Sequence, residues 1–594
     1  MSKQVASPRG FFPGSRPGGK VVPFQPPTRA VVALSPGMRM RELLSRIDAK
    51  VLVRRSSPQD LFLLIRQVGL DDAQELLELC SLDHVQRMLD LDVWAQSEPQ
   101  LDTYGEWLRV LLEVYKEKPE ALLRELDPEL LLLFLLDHIR VHLKDEEMTE
   151  EARLHLENKD LVETSDHQYL VEFLSAEDEW QDFILMLIDR VYSTSIRNGH
   201  WLMSALIWET PSMMEEQALR IRQGRLEELG FPTLEEALQI FQPLRSPVPF
   251  PRARAGQTAS GPLREVPLSL EIFQPQDGSL LTRALEILAQ RHPGEDLTHD
   301  LLHLANKMIV AEKRDPGELD DIRLALAQVH AGVNLGLEAE SRGGLEEAVR
   351  LLRSVHLDWL FRQGHARVLE LQRRARGVSQ RLKGSLRRPF EVQPEGLWAR
   401  WVEGLLLLRP KRYTGKESEN QRFEMFSTVE QLSEARLRLD QLDIQRRFVF
   451  ERLAPGAFEP GRLRRALVDM NQELTLIHVL MTSVVRGFVG LSFAPEPLTA
   501  EELRLALTRI FEPVATPGML RKCVPAFVAQ LDEAVLLWHT QPLEEDVGGQ
   551  VGGEAVELLV RRGLELLELA YGALDPAELP ELRFVEGPLL VGVR

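Results

Sequence analysis

The residues best suited to chemistry are two pairs of histidines, each pair four residues apart. "DHIRVH" carries His138 and His142, with Asp145 following, and "HDLLH" carries His299 and His303 shortly after His292. Helix positions four apart share a face. Two imidazoles and a carboxylate at that spacing can hold a divalent metal, and the activity that follows is that of a metal-dependent enzyme. Neither pair has the glutamate of HExxH, so a metal-bound water lacks an evident base. The plainer reading puts His138 and His142 at the end of a leucine-rich helix, on the face of Leu131 and Leu135, where the C-terminal dipole favours imidazole. The spacing assigns no metal and no cofactor, and leaves these four histidines as candidates only.

Other catalytic signatures are absent. The sequence has no GxSxG elbow, no Gly-Lys-Ser/Thr phosphate loop and no GxGxxG after a strand. "EEDVGGQVGGEA" precedes a helix but follows no strand, which reads as a flexible loop. Cys80 follows apolar residues and reads as core. In "LANKMIV", Asn306 and Lys307 sit inside an apolar helical run, so Lys307 needs a buried partner or must snorkel to water. "DEEMTEE" (145–151) reads as solvated surface.

The sharpest charge feature is "RRARGVSQRLKGSLRR", residues 373–388. It holds Arg373, Arg374, Arg376, Arg381, Lys383, Arg387 and Arg388 and no acid, and "RPKRY" at 409–413 extends it. Guanidinium forks grip carboxylates and phosphates in pairs. This segment is the candidate partner-binding site, with an acidic protein surface favoured over nucleic acid because no aromatic residues interleave to stack bases.

The elements that must position these residues are short helices. Ser57-Pro58 is a cap followed by proline at the first helical position, as is Thr210-Pro211. Leu-Asp starts recur at Leu70-Asp71, Leu82-Asp83 and Leu126-Asp127, each opening a short amphipathic stretch. Such helices cannot bury their apolar faces alone, so neighbours must stack. Over about forty residues the pattern is similar to the cytosolic superhelix of a bacterial magnesium-channel family and to armadillo-like flagellar switch proteins. "NLGLEAESRGGLEEAVRLLRSV" resembles one tetratricopeptide-type hairpin through Leu335-Gly336, Gly343, Ala348 and Leu352. Ala339 and Leu360 depart from that repeat, so one helical hairpin is expected and no array.

Charge and composition set the outer bounds. Residues 1–57 carry eleven Lys/Arg and two acids, a net of +9, against −20 for the whole chain, so residues 58–594 carry −29. An acidic body disfavours nonspecific nucleic-acid binding. The first thirty residues hold six prolines and no acid, which reads as a disordered tail and not as a presequence. The two cysteines are far apart, which fits a reducing cytoplasm and disfavours a disulfide framework or a thiolate zinc site. No apolar run reaches the ~20 residues that span a membrane, so no membrane partner is expected. Residues 243–275 contain seven prolines and a polar "RARAGQTASG" and read as a linker. "LRFVEGPLLVGVR", at the end of the sequence, reads as an extended segment docked on the body.

Several blocks together, "ELLELCSLDHVQRMLDLDVW", "LRIRQGRLEELGFPTLEEAL", "LANKMIVAEKRDPGELDD", "LLRSVHLDWLFRQG" and "RPKRYTG", resemble a family of large soluble bacterial proteins classed only as a domain of unknown function. The likeness spans most of residues 50–450. It implies a mostly helical cytosolic protein and brings no activity, cofactor or catalytic residue.

The expected fold is all-α: stacked short amphipathic helices, α-solenoid-like, in two lobes with a disordered N-terminal tail. The expected divisions are a tail at 1–50, a helical superhelix at 51–242, the linker at 243–275 and a helical domain at 276–594. The expected function is that of a cytoplasmic scaffold or adaptor binding another macromolecule. The alternatives are a metal-dependent enzyme built on the histidine pairs and a polyanion-binding protein acting through 373–388.

Overall fold

The computed structural model describes residues 35–95, 97–144, 161–175, 180–242, 278–292, 297–386, 391–416, 418, 422–453, 474–513, 520–540, 549–582 and 585–592. The chain divides into two compact units, Met1–Arg362 and Gln363–Arg594. Both are predominantly helical. Among the described residues no helix is long and apolar enough to cross a membrane.

The first unit begins with eight short helices: α1 (Pro36–Ser45), α2 (Ala49–Arg55), α3 (Pro58–Val68), α4 (Gln74–Leu79), α5 (Leu82–Asp92), α6 (Leu101–Val114), α7 (Pro119–Glu125) and α8 (Pro128–His138). The tail expected to run to residue 50 is therefore helical from Pro36 on. Ser35 supplies the reason, since it caps α1 with its side chain and Pro36 presets the first helical φ. Ser57 likewise accepts the Asp60 amide, and Ser81 the His84 amide. Each helix packs on the next but one: α1 on α3, α2 on α4, α3 on α5, α4 on α6 and α6 on α8. This is the stacking that short amphipathic helices require. In α8, residues Leu130 to Leu135 are all buried, because neighbours cover it on several sides.

A strand follows α8 directly. β1 (Trp94–Ala95) and β2 (Glu98–Pro99) form a small ribbon between α5 and α6. β3 (Ile139–Leu143), β4 (Leu161–Glu163) and β5 (Tyr169–Phe173) form an antiparallel sheet in the order β3-β5-β4. Next come α9 (Gln181–Thr194), α10 (Ile196–Trp208), α11 (Pro211–Glu228) and α12 (Leu234–Leu238). The proline-rich linker, 243–275, lies outside the described residues. Beyond it are α13 (Leu280–Arg291), α14 (Thr298–Ala311), α15 (Leu319–Ser341) and α16 (Leu345–Ser354). The boundary read at the linker is not where compactness breaks. α12 packs on α14 across that segment, within the first unit, and the division falls at 362/363.

The expected hairpin is α15 and α16. Their turn uses two successive left-handed residues, Arg342 (φ 52) and Gly343 (φ 74), and glycine meets the second at no steric cost. In α15, Gly332 faces Phe361, and a Cβ there would stand 2.3 Å from the ring. α17 (Leu357–Lys383) runs through the division point.

The second unit continues with α18 (Leu397–Leu406), the two-stranded ribbon β6 (Arg412–Tyr413) and β7 (Phe423–Glu424), and α19 (Val429–Arg447), which runs into a π-helical turn at Phe448–Leu453. α20 (Leu476–Phe488), α21 (Ala500–Ile510), α22 (Pro525–Thr540) and α23 (Gly549–Tyr571) complete it, with α23 packed on α19, α20 and α22. The extended segment near the end docks as expected. Leu589, Leu590 and Val591 are buried, Val591 bridges Leu498, and the Leu590 amide donates to Thr482 Oγ1.

Candidate interaction surfaces

The histidine pair of "DHIRVH" does not share a helix face. α8 ends at His138 and the chain turns into β3, where Ile139 and Val141 are buried and Arg140 is exposed. That alternation has the period of a strand and carries His142 into the sheet. His138 is buried against aromatic rings, 4.8 Å from Phe134 and 6.3 Å from Trp180. His142 instead meets the Glu172 carboxylate of β5 at 2.8 Å. His299 and His303 do lie on one helix, α14, and His303 is exposed. Among the described residues no group of three or more His, Cys, Asp or Glu could hold a metal.

The lysine and cysteine of the sequence reading have structural settings. Lys307 is mostly buried and pairs with Asp358, which supplies the partner a buried ammonium needs. Burial pushes the Cys80 and Cys523 thiols up to about 12, far from the range in which a thiolate reacts.

The arginine run falls on α17 and divides into two sets. Arg374 pairs with Asp440, and Arg381 donates to Asp443 at 3.1 Å; both carboxylates are on α19. Burial alone would raise the Asp443 carboxyl, but hydrogen bonds from Arg381 and Arg446 outweigh it and hold the group below its usual range. Lys383 meets Glu391 at 3.4 Å at the surface. Arg373 and Arg376 are exposed, one turn apart on the helix. Arg387 and Arg388 lie outside the described residues. The "RPKRY" extension is mostly structural: Arg412 pairs with Glu424 across β6 and β7, and Arg409 is half-buried.

A second surface escaped the sequence reading. α10 packs against α9, β3 and α8. Its outer face carries Arg197, Trp201, Ser204 and Trp208, spaced four, three and four residues apart, so they form one stripe. Trp208 is 78% exposed and Trp201 52%. Met213, at the start of α11, is exposed as well. The signal was present in "RNGHWLMSALIW": the apolar residues cover nearly every helical position, so some large ones had to face outward.

The frame behind this surface is a buried charge network. Asp90 of α5 and Asp127, the N-cap of α8, both bind Arg225 of α11. Arg225 Nε donates to Asp90 at 2.6 Å and Nη1 to Asp127 at 3.0 Å. Gln86 reaches both carboxylates at 3.4 Å, and its Oε1 accepts the Asp127 amide. Burial works against the Arg225 charge, but the two carboxylates overcome it and hold the guanidinium well above its ordinary value. Arg222 stacks over Trp94 at 5.0 Å and donates to the Asp90 carbonyl at 2.8 Å. Burial pulls Arg222 down to about 10, although Asp90 partly offsets this. This network ties α11 to α5 and to α8, and α8 is also one of the elements that α10 packs against.

No curated protein and no solved structure matches the chain. A family model described as "Family of unknown function (DUF6178)" matches residues 19–590, nearly the whole sequence. The chain belongs to that family.

Proposed function

We propose that this protein is a helical scaffold or adaptor of the cytoplasm that binds another protein through the outer face of α10. The observation that carries the reading is the pair of exposed indoles, Trp201 and Trp208, on a helix whose opposite face is held by α8, α9 and β3. Tryptophan is a costly residue to leave in water, and it is enriched at the energetic centres of interfaces. The two rings expose roughly 300 Å² of mostly apolar surface, judged from the area an aromatic side chain buries. That is the size of a functional patch but well short of the ~800 Å² per partner of a stable dimer interface. The fitting occupant is a short amphipathic helix of a different protein, with Arg197 placed to meet an acidic residue at its end. Unpaired, buried thiols agree with a reducing compartment.

The test compares proteins co-purified with the wild type and with a Trp201→Ser/Trp208→Ser variant, followed by titration of the purified partner. A partner retained by the wild type and bound at least tenfold more weakly by the variant supports the reading. An unchanged set of partners at unchanged affinity overturns it.

A second reading is favoured by Arg373 and Arg376, which face solvent on α17 while Arg374 and Arg381 are tied to α19. This ridge would take an acidic protein surface. Changing Arg373 and Arg376 to Ser should weaken such binding and its salt dependence together, and unchanged binding in both respects removes the ridge from the interface.

A further inference from the structure

We propose that the outer face of α2, together with the turn that leads into it, docks on an anionic lipid surface. Ala49 and Val53 are the buried residues of this helix, which packs on α1 and α4. The side left open carries Lys50, Val51, Arg54 and Arg55, all exposed. Ile47 stands in the turn ahead of α2, four residues before Val51. Ile47 is fully exposed and Val51 is 51% exposed. Two aliphatic side chains and three cations thus meet solvent within nine residues of chain.

Helix physics explains part of this set. Arg54 and Arg55 stand in the last turn, where the dipole favours cations. Lys50 stands in the first turn, where the dipole opposes a cation, and Lys50 and Arg54 are like charges four residues apart. Among the described residues no carboxylate lies within ion-pair distance of Lys50, Arg54 or Arg55, and Asp48 is taken by Arg46 at 3.1 Å. Arg54 Nε donates to the Leu79 carbonyl at 3.4 Å. A scattered exposed aliphatic is ordinary, but Ile47 and Val51 are grouped and flanked by these cations. Residues 35–57 hold six Lys/Arg against Glu42 and Asp48, in a chain of net charge −20.

An anionic bilayer engages both parts of this face. The aliphatic side chains enter the boundary between headgroups and acyl chains, and the cations lie against the lipid phosphates. A nucleic acid would engage the cations alone, and residues 35–57 contain no aromatic ring to stack on a base. A protein partner would need a pocket shaped for Ile47, whereas lipid tails close around a protruding side chain without one. No described helix is long and apolar enough to span a bilayer, and the contact proposed is with the lipid surface alone. It uses no residue of α10, so this proposal and the docking of a protein on α10 stand or fall separately.

The experiment is co-sedimentation of the full chain with two kinds of vesicle at low ionic strength. One is phosphatidylcholine alone, the other phosphatidylcholine and phosphatidylglycerol in equal parts. The chain should bind the mixed vesicles about tenfold or more tightly than the neutral ones. Binding to the mixed vesicles should fall about tenfold in a Lys50→Ser/Arg55→Ser variant, and about tenfold in an Ile47→Ser/Val51→Ser variant. Only the first variant should bind with a weaker dependence on salt. All four side chains are exposed, so the variants should fold, and circular dichroism checks that they do. No binding to the mixed vesicles overturns the proposal, as does equal binding to both kinds. Binding unchanged in the Ile47→Ser/Val51→Ser variant also overturns it, because adsorption would then be electrostatic only. Binding of mixed-sequence duplex DNA that is lost with Lys50 and Arg55, without vesicle binding, would assign the face to nucleic acid instead.

Discussion

Arg225 is the residue on which the first unit's interior charges depend. Asp90 is fully buried and Asp127 nearly so, and removing the guanidinium would strand two carboxylates away from water. Arg225→Ala should therefore cost about 3–5 kcal/mol, read as a shift in the urea midpoint; a loss below about 1 kcal/mol would show that water reaches the site. His330 makes the corresponding point for pH. Burial lowers it to about 4 from an ordinary 6.5, while Ser279 and Thr282 hydroxyls lie at 3.1 and 3.3 Å from Nε2. The folded state binds its proton less readily than the unfolded chain. The stability from keeping His330 neutral is thus complete above pH 6.5 and drains away as pH falls toward 4, by up to about 3 kcal/mol. Urea unfolding between pH 7.5 and 4.5 should show a shallower decline in His330→Gln than in the wild type; equal slopes would contradict this. Neither role was legible in the sequence. Asp90 sits in "RMLDLD" and Asp127 in "ELDPE", which read as helix ends. A carboxylate near either end of a short helix is ordinarily exposed, and the approach of α11, about a hundred residues on, closes over these two.

At the scale of elements, helix caps were legible because their chemistry is local. Ser57 with Pro58, and Thr210 with Pro211, occupy the positions their types suggest. The strand β3 was not. "LLLLFLLDHIRVHL" carries an apolar run into alternation without a proline or glycine to mark the change, so the helical period was extended four residues too far. The face it implied for His138 and His142 does not exist. Packing supplies its own predictions. Gly332→Ala would press a Cβ into Phe361, and with the ring fully buried the overpacking should cost on the order of 1–3 kcal/mol; an unchanged thermal midpoint would mean the ring has room to move. On α10 the expectation is the opposite. Trp201→Ser and Trp208→Ser remove side chains that the fold does not bury, so each should alter stability by no more than about 0.5 kcal/mol. Trp107→Ala, which empties a buried site closed by a 2.6 Å hydrogen bond to Asp92, should cost roughly 3–5 kcal/mol. A large loss from either surface tryptophan would mean that its role is structural.

For the whole molecule, composition and periodicity led to a predominantly helical chain with hydrophobic stacking of short elements, because both depend on sums over many residues. The place where compactness breaks depends on a few contacts between distant segments, and a proline-rich stretch marks only a change in local chain behaviour. α12 and α14 lie on either side of that stretch and pack together all the same. The outer face of α10, the proposed docking surface, was hidden for a similar reason. A helix as apolar as α10 does not announce which of its large residues face out until its neighbours are in place. The central claim is that the outer face of α10 holds a protein partner. It is tested most directly by placing a photo-crosslinking amino acid at position 208 in the full chain in living cells, with position 120, exposed on α7, as the control. The account predicts a discrete crosslinked species at 208, absent at 120 and lost when Trp201 is also changed to Ser. No crosslink at 208, or the same pattern at both positions, would contradict it.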